Sequence, residues 1–290
     1  NTAVGFEAGN DITSGINNTL IGSLAGDALS DADNNTAIGY NALSGDTLGS
    51  RSTAIGYNTL LLQNFTSGTN VYNVAIGHDA GRAITTALYS TIIGGLAGVA
   101  HQTGNFNTYI GYASGTANAG DQNTLIGANA GALLTNADKN TIIGKYSGNQ
   151  GGLDIRTSDN YIVLSDGDGN PRGTFDNNGN FTVGKTVNSH STAGFGTTAG
   201  GVGNFIADST TPLIVNRLTN DGKVISIRQA STEEGTISVS GTTVSYNGGH
   251  LARWSQLTDN TRDNTIVKGT VMTNLDQMAE WTTDGVTEDN

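Results

Sequence analysis

The sequence predicts an all-β chain: a repetitive β-solenoid or β-roll shaft in a parallel homotrimer, then small β modules and a short C-terminal segment with some helix. Three observations carry that prediction. First, a phrase close to Asn-Thr-x-Ile-Gly-x-x-Ala-Gly recurs nine times in the first 148 residues, with central glycines at Gly5, Gly22, Gly39, Gly56, Gly77, Gly94, Gly111, Gly127 and Gly144. Their spacings are 17, 17, 17, 21, 17, 17, 16 and 17 residues, a regularity that means stacked copies of one small unit. Second, 42 glycines, 2 prolines and a charged fraction of 13% among 290 residues suit tight turns alternating with short strands. Third, a β-branched residue precedes every central glycine, which marks a strand.

Each repeat position has its own chemistry. The residues before the glycine (Val4, Ile21, Ile38, Ile55, Ile76, Ile93, Ile110, Ile126 and Ile143) are expected to face inward and stack on one another. The glycine then supplies a backbone conformation or a close approach that a β-carbon would forbid. Four residues before it stand Asn1, Asn18, Asn35, Ser52, Asn73, Ser90, Asn107, Asn123 and Asn140. Stacked at about 4.8 Å, these side chains are expected to form an amide ladder, whereas like charges at that spacing would repel. A small residue follows three places after the glycine. A second glycine usually comes next, with Leu43 and Leu60 the departures.

A coil of about 17 residues has little interior: one Ile or Val, one or two small residues, and a spacer position such as Ile12, Leu29, Ile84 or Leu134. So thin a solenoid is weak alone. Three chains packed around one axis would bury the remaining apolar face, hence the homotrimer.

The phrase Asn-Thr-Ala-Ile-Gly-Tyr-Asn-Ala, at Asn35 to Ala42, resembles the head repeat of trimeric autotransporter adhesins, and more closely the repeats of bacteriophage tail fibres. Both resemblances imply a trimeric β-roll or solenoid. They cover about half the chain and say nothing specific about a ligand; the spacing of 17 residues is longer than the adhesin period.

The repeat shaft is assigned to residues 1–152. Residues 153–184 read as a hairpin module with turns at Asp166–Asn170 and Asn177–Gly179, because Asp-Gly and Asn-Gly pairs favour tight hairpins. Residues 185–211 read as a Gly/Ser/Thr-rich connector. Strands are expected at 212–216, 223–228, 235–239 and 242–246, within a small module spanning 212–248 that resembles a trimeric β module of phage fibres. Such modules commonly precede a trimerising chaperone; no self-cleaving Ser-Asp signature is found. Residues 249–290 hold both tryptophans and a helically spaced stripe, Val271, Leu275, Met278 and Trp281. Because the repeat is already running at Asn1, the chain is expected to be part of a longer one.

Composition narrows the functions. A net charge of −12 with no basic cluster argues against nonspecific nucleic-acid binding. No apolar run approaches the roughly 20 residues of a membrane span, and no membrane insertion is expected. The absence of cysteine excludes disulfides and thiolate metal sites. No metal or cofactor is predicted; the one weak metal candidate is Asp166, Asp168 and Asn170, which resemble the start of a calcium loop whose remainder is missing. No catalytic residues stand out, so an enzyme is not expected. A candidate glycan-stacking stripe lies after the repeat glycine, at Phe6, Tyr40, Tyr57, His78 and Tyr112; packing against a neighbouring chain is the competing reading. The expected function is a structural and adhesive fibre: a phage tail fibre on the virion tail, contacting other virion or fibre proteins and a host-surface glycan or protein receptor. The alternatives are a trimeric adhesin on a bacterial cell surface and a tailspike-like glycan hydrolase.

Overall fold

The computed structural model describes residues 1–248 and the strands Glu280–Thr283 and Val286–Asp289. It divides into two compact units, Asn1–Pro212 and Leu213–Asn290. The fold is all-β. Among the described residues of the first unit, nine three-residue strands, from Thr2–Val4 to Thr141–Ile143, stack in parallel as successive coils of a β-solenoid. Their register sets repeat position on repeat position: Thr19 on Thr36, Leu20 on Ala37, Ile21 on Ile38.

A tenth coil adds the strand Ile162–Ser165, whose Leu164 sits beside Ile143. The repeat phrase misses this coil because Ser165 takes the glycine's place. The reason is visible at the glycine column. Gly94 has φ +134°, and a Cβ there would stand 2.5 Å from the carbonyl oxygen of Gly111 one coil on. Both conformation and close approach therefore exclude a side chain wherever another coil follows. After Ser165 the chain reverses into the antiparallel strand Pro171–Phe175, so no coil follows in that position.

The sheet continues through Phe181–Val183, Gly194–Thr197 and Gly203–Ile206, giving 14 strands in one sheet. The hairpin turns fall where the Asp-Gly and Asn-Gly pairs place them. Residues 185–211 differ from the expected connector, since two of the antiparallel strands lie within them. In the second unit, Gly222–Gln229, Thr232–Ser240 and Thr243–Gly248 form a three-stranded antiparallel sheet. The strand expected at 212–216 does not form; that stretch is irregular and exposed. Val271, Leu275 and Met278 lie outside the described residues, while Trp281 falls in the strand Glu280–Thr283.

The strand faces correct the sequence reading. The residue pointing into the coil is the one before the expected isoleucine: Leu20, Ala37, Ala54, Ala75, Ile92, Tyr109, Leu125 and Ile142 are all buried. Side chains alternate along a strand, so the isoleucines must point out. Ile21 is 39% exposed and Ile143 46%, and the rest of the row is half-buried or exposed.

The inward column varies in size, and in most coils the position four after the glycine compensates for it; the coil of Ala75 departs, with Gly81 at that position and Leu60, Ile84 and Ile92 closing the space. Where the strand supplies Leu20, Ile92, Tyr109 or Leu125, that position is Gly26, Gly98, Gly115 or Gly131. A Cβ at Gly26 would stand 2.9 Å from Leu20, and one at Gly115 2.7 Å from Tyr109. Where the strand supplies only Ala37 or Ala54, Leu43 or Leu60 fills the space, buried, at φ 56° and 50°. A left-handed leucine costs about 1–2 kcal/mol, which the filled core offsets.

The asparagine column is buried, and its bonds differ from the expected amide ladder. Each side-chain oxygen accepts a backbone N–H from the next coil: Asn18 donates to Asn1 Oδ1 (2.8 Å), Asn35 to Asn18 (2.9 Å) and Asn140 to Asn123 (3.0 Å). Each amide nitrogen donates to a carbonyl further along the chain, as Asn18 does to Ala32 (2.7 Å) and Asn107 to Gly120 (2.9 Å). The column satisfies backbone groups of the interior that no strand partner reaches. A direct amide–amide contact joins Asn123 Nδ2 to Asn107 Oδ1 (3.3 Å).

The spacer column is polar at two places. Asp46 is fully buried; its Oδ1 accepts the amides of Gly49 and Phe65 (3.0 Å each) and its Oδ2 accepts Gln63 Nε2 (2.6 Å). Gln63 also donates to Ser52 (3.0 Å) and accepts from Asn73 (3.0 Å). This network bridges the 21-residue interval, where Ser52 interrupts the asparagine column. His101 and Asn118 form the second polar pair: His101 Nδ1 lies 2.5 Å from the Asn118 carbonyl and Nε2 2.8 Å from that of Gly104. Burial pushes the His101 imidazole below its ordinary pKa.

Candidate functional site

The outward face of the coil strands is built by alternation. Thr and Ile point out together, the aromatic stripe lies beyond the glycine, and one further row lies five residues before it. Phe6, Tyr40, Tyr57, His78 and Tyr112 are all exposed on their own chain. Three of them fall in consecutive coils and stack: Tyr40 on Tyr57 at 5.3 Å between centroids, and Tyr57 on His78 at 4.9 Å. His78 Nδ1 also lies 3.1 Å from Asp79 Oδ2, and Asn58 Nδ2 donates to Asp79 Oδ1 (3.1 Å). Phe6 and Tyr112 stand apart, separated from the ladder by Ser23 and Gly95.

Sequence reasoning missed a second ladder on the other side of the strand. Tyr72 stacks on Tyr89 at 5.7 Å and Tyr89 on Phe106 at 4.9 Å, while the Arg51 guanidinium lies 5.6 Å above Tyr72. Arg51 Nε donates to Asn70 Oδ1 (2.8 Å). The signal was present: three aromatics recur five residues before successive glycines. All three have positive φ, at 55°, 57° and 58°, so the backbone turns each ring outward at the coil corner. The 21-residue interval ends beside this ladder. Its extra residues pair Gly49–Ser50 with Thr69–Asn70 and leave Thr66–Gly68 as a small exposed tip.

Stacking geometry decides what these rings can offer a ligand. Rings of a ladder lie 9–18° from parallel and spend their faces on one another. A sugar stacks on a ring face, so Tyr57 and Tyr89 present edges only. Tyr112, between Gly95 and Ala128, and Phe6 are the rings with small residues on the adjoining coils.

The metal candidate is a hairpin turn. Asp166 Oδ1 accepts the amides of Asp168 (3.0 Å) and Asn170 (2.9 Å), while Arg172 Nε donates to Oδ2 (2.8 Å). The Asn170 amide and the Arg172 guanidinium hold the Asp166 carboxyl well below the usual carboxylate range. Asp176-Asn-Asn-Gly-Asn180 repeats the turn, with Asp176 Oδ1 accepting the amides of Asn178 and Asn180 (2.9 Å each). Two hairpins with the same Asp-centred bonds indicate a turn device.

Carboxylates also line one coil corner, where they act on backbone. Asp121 Oδ1 accepts the amide of Asn105 (2.6 Å), Asp138 that of Asp121 (2.8 Å) and Asp159 that of Asp138 (2.7 Å). Among the described residues no group of three or more His, Cys, Asp or Glu is placed to hold a metal. No helix is long and apolar enough to cross a membrane, among the described residues.

Comparison of the chain with known protein families, curated proteins and solved structures finds no match.

Proposed function

We propose that this chain is a structural and adhesive fibre protein, a phage tail fibre whose three copies pack along the outward Thr/Ile face and present receptor-contacting residues at intervals along a stiff shaft. One observation carries the reading: the outward apolar row has no partner among the described residues of its own chain and runs through every coil, with a gap at Gly173 beyond the last of them. From Val4 to Ile143 it occupies every coil, then passes in register to Leu164 and on to Val183 and Phe195. Beside it Thr141 gives way to Ile162, Phe175 and Phe181, so the face becomes more apolar toward the antiparallel strands. A stripe this long on an otherwise polar chain marks an interaction surface. Copies of the same chain fit it best, because isoleucine recurs in every coil from Ile21 to Ile143.

Three equivalent chains would convert weak single contacts into avidity, and stacked coils would set the reach. The aromatic ladders and the Thr66–Gly68 tip are the receptor-contact candidates; Phe6 and Tyr112 suit sugar rings best. A trimeric adhesin on a bacterial surface would use the same architecture. The test is binding of labelled full chain to a panel of encapsulated and rough bacteria, beside an Ile93→Asp/Ile110→Asp variant. Binding to some strains, weakened at least about tenfold in the variant, is expected. Equal binding by both, or none to any strain, would count against multivalent attachment. Release of oligosaccharide from capsule would favour a hydrolase.

A further inference from the structure

The second unit contains a sheet and a segment that each lack a partner among the described residues. Alternation gives the three-stranded sheet one apolar face, made of Ile225, Ile227, Ile237, Val239, Val244 and Tyr246, and one polar face, with Ser226, Thr236, Ser238, Ser245 and Asn247. None of the six apolar side chains is buried. A single-layer sheet needs its apolar face covered to be stable. Just before it, Leu213-Ile-Val215 has the composition of a strand, yet Ile214 is 79% exposed and Leu218 87%. The segment makes no backbone hydrogen bond among the described residues.

The link between the two explains why the segment does not fold back as a hairpin. Arg217 Nε donates to the carbonyl and side-chain oxygens of Asn220 (2.9 and 2.8 Å). Asp221 accepts the amide of Gly241 (2.9 Å) and the hydroxyl of Ser240 (3.1 Å). The link is thus pinned beside the turn that joins the second and third strands. The Arg217 guanidinium lies against Gly222, 2.9 Å from where a Cβ would stand. It occupies the head of the first strand, where a hairpin would have to start.

We propose that Leu213–Val215 is an exchange strand, which pairs with the outer edge of Gly222–Gln229 in a neighbouring copy. That edge is the better acceptor of the two. It spans eight residues and is bare among the described residues, whereas Thr243–Gly248 runs directly into further chain. A second copy is the occupant because it satisfies both needs at once. Every copy carries one unpaired segment and one unpaired edge, so a ring of copies leaves neither open. Main-chain bonds supply the pairing, and alternation places Leu213 and Val215 together on one face of the extended sheet. The inference rests on the trimeric reading above and adds an interlock to it.

Two measurements on the full chain test it, with light scattering run alongside. In hydrogen exchange on the assembly, the amides of Ile214 and Val215 should exchange about tenfold or more slower than an unstructured segment. Because the chain has no cysteine, Ile214→Cys introduces a single thiol. A thiol–amine cross-linker can then join it to Lys223 at the head of the acceptor strand, in an assembly refolded from mixed 14N- and 15N-labelled chains. Links between differently labelled chains are the expected result. Links only within one chain, no link to Lys223, or fast exchange at Ile214 and Val215 in a confirmed trimer would overturn the exchange while leaving the trimer standing. A monomeric mass would overturn both.

Discussion

Swapping Ala37→Leu together with Leu43→Gly converts the third coil to the arrangement of the second, where Leu20 faces Gly26. The single changes should each be costly. Ala37→Leu adds three carbons where the buried Leu43 already fills the coil, an overpacking of about 1–3 kcal/mol. Leu43→Gly leaves a cavity worth about 2–5 kcal/mol, reduced by about 1 kcal/mol because φ 56° no longer strains a β-carbon. The double variant refills the same space and relieves that strain, so it should lie within about 1 kcal/mol of the parent. The coupling between the two sites is then at least about 1 kcal/mol. Hydrogen exchange reads this coil directly, through the amide of Leu43, bonded to Thr59 O at 2.9 Å, and that of Gly45, bonded to Leu61 O at 3.1 Å. Local opening energies avoid treating a repeat array as two-state. Additive single effects would refute the complementarity of the two columns.

The other predictions separate core, interface and buried polar groups. Ile92→Asp should destroy the coil by burying an unpaired charge, whereas Ile93→Asp should leave the fold intact and abolish assembly; circular dichroism and light scattering distinguish them. Asn123→Ala would leave the Asn140 amide and the Ala137 carbonyl buried without their partners, a cost of about 2–5 kcal/mol; Asn10→Ala, on the exposed surface, should cost less than about 0.5 kcal/mol by thermal unfolding. Burial lowers the His101 pKa in the folded chain, against the raising effect of its two carbonyl neighbours and nearby Asp121. The unfolded chain takes up the proton first as pH falls below 6.5. Stability of this coil should therefore fall with pH, by up to about 1.4 kcal/mol per pH unit until the folded group also protonates. His101→Asn should remove that slope in urea unfolding at pH 7 and pH 5.

The solenoid was legible in the sequence because glycine is demanded at every coil: conformation and the carbonyl of the next coil act at one atom, so the column tolerates no substitute until Ser165. The strand faces were harder to assign. A repeated isoleucine looks like core, but the core of this coil accepts Ala, Leu, Ile or Tyr because the position four after the glycine adjusts to it or, at Ala75, Leu60 and Ile92 of the adjoining coils do. Constancy at Ile21 or Ile143 reflects an outward face that stays the same from coil to coil, while variability at Ala37 and Tyr109 reflects a locally repacked interior. The asparagines were recognised as structural, but their backbone partners lie 13 to 21 residues away and only the coil brings them together. The Tyr72 ladder was readable from spacing and passed over because it begins within the 21-residue interval. The stretch 212–216 alternates like a strand, but no edge of its own chain is offered to it among the described residues.

The outward isoleucine row is the centre of the account, and the mass of the assembly tests it most directly. Light scattering on the full chain should give three times the 29.7 kDa of one copy, and Ile93→Asp should return the single-chain mass with its β-sheet spectrum retained. A mass of 29.7 kDa for the unaltered chain would contradict the account, since the exposed row from Val4 to Phe195 would then face water along its whole length.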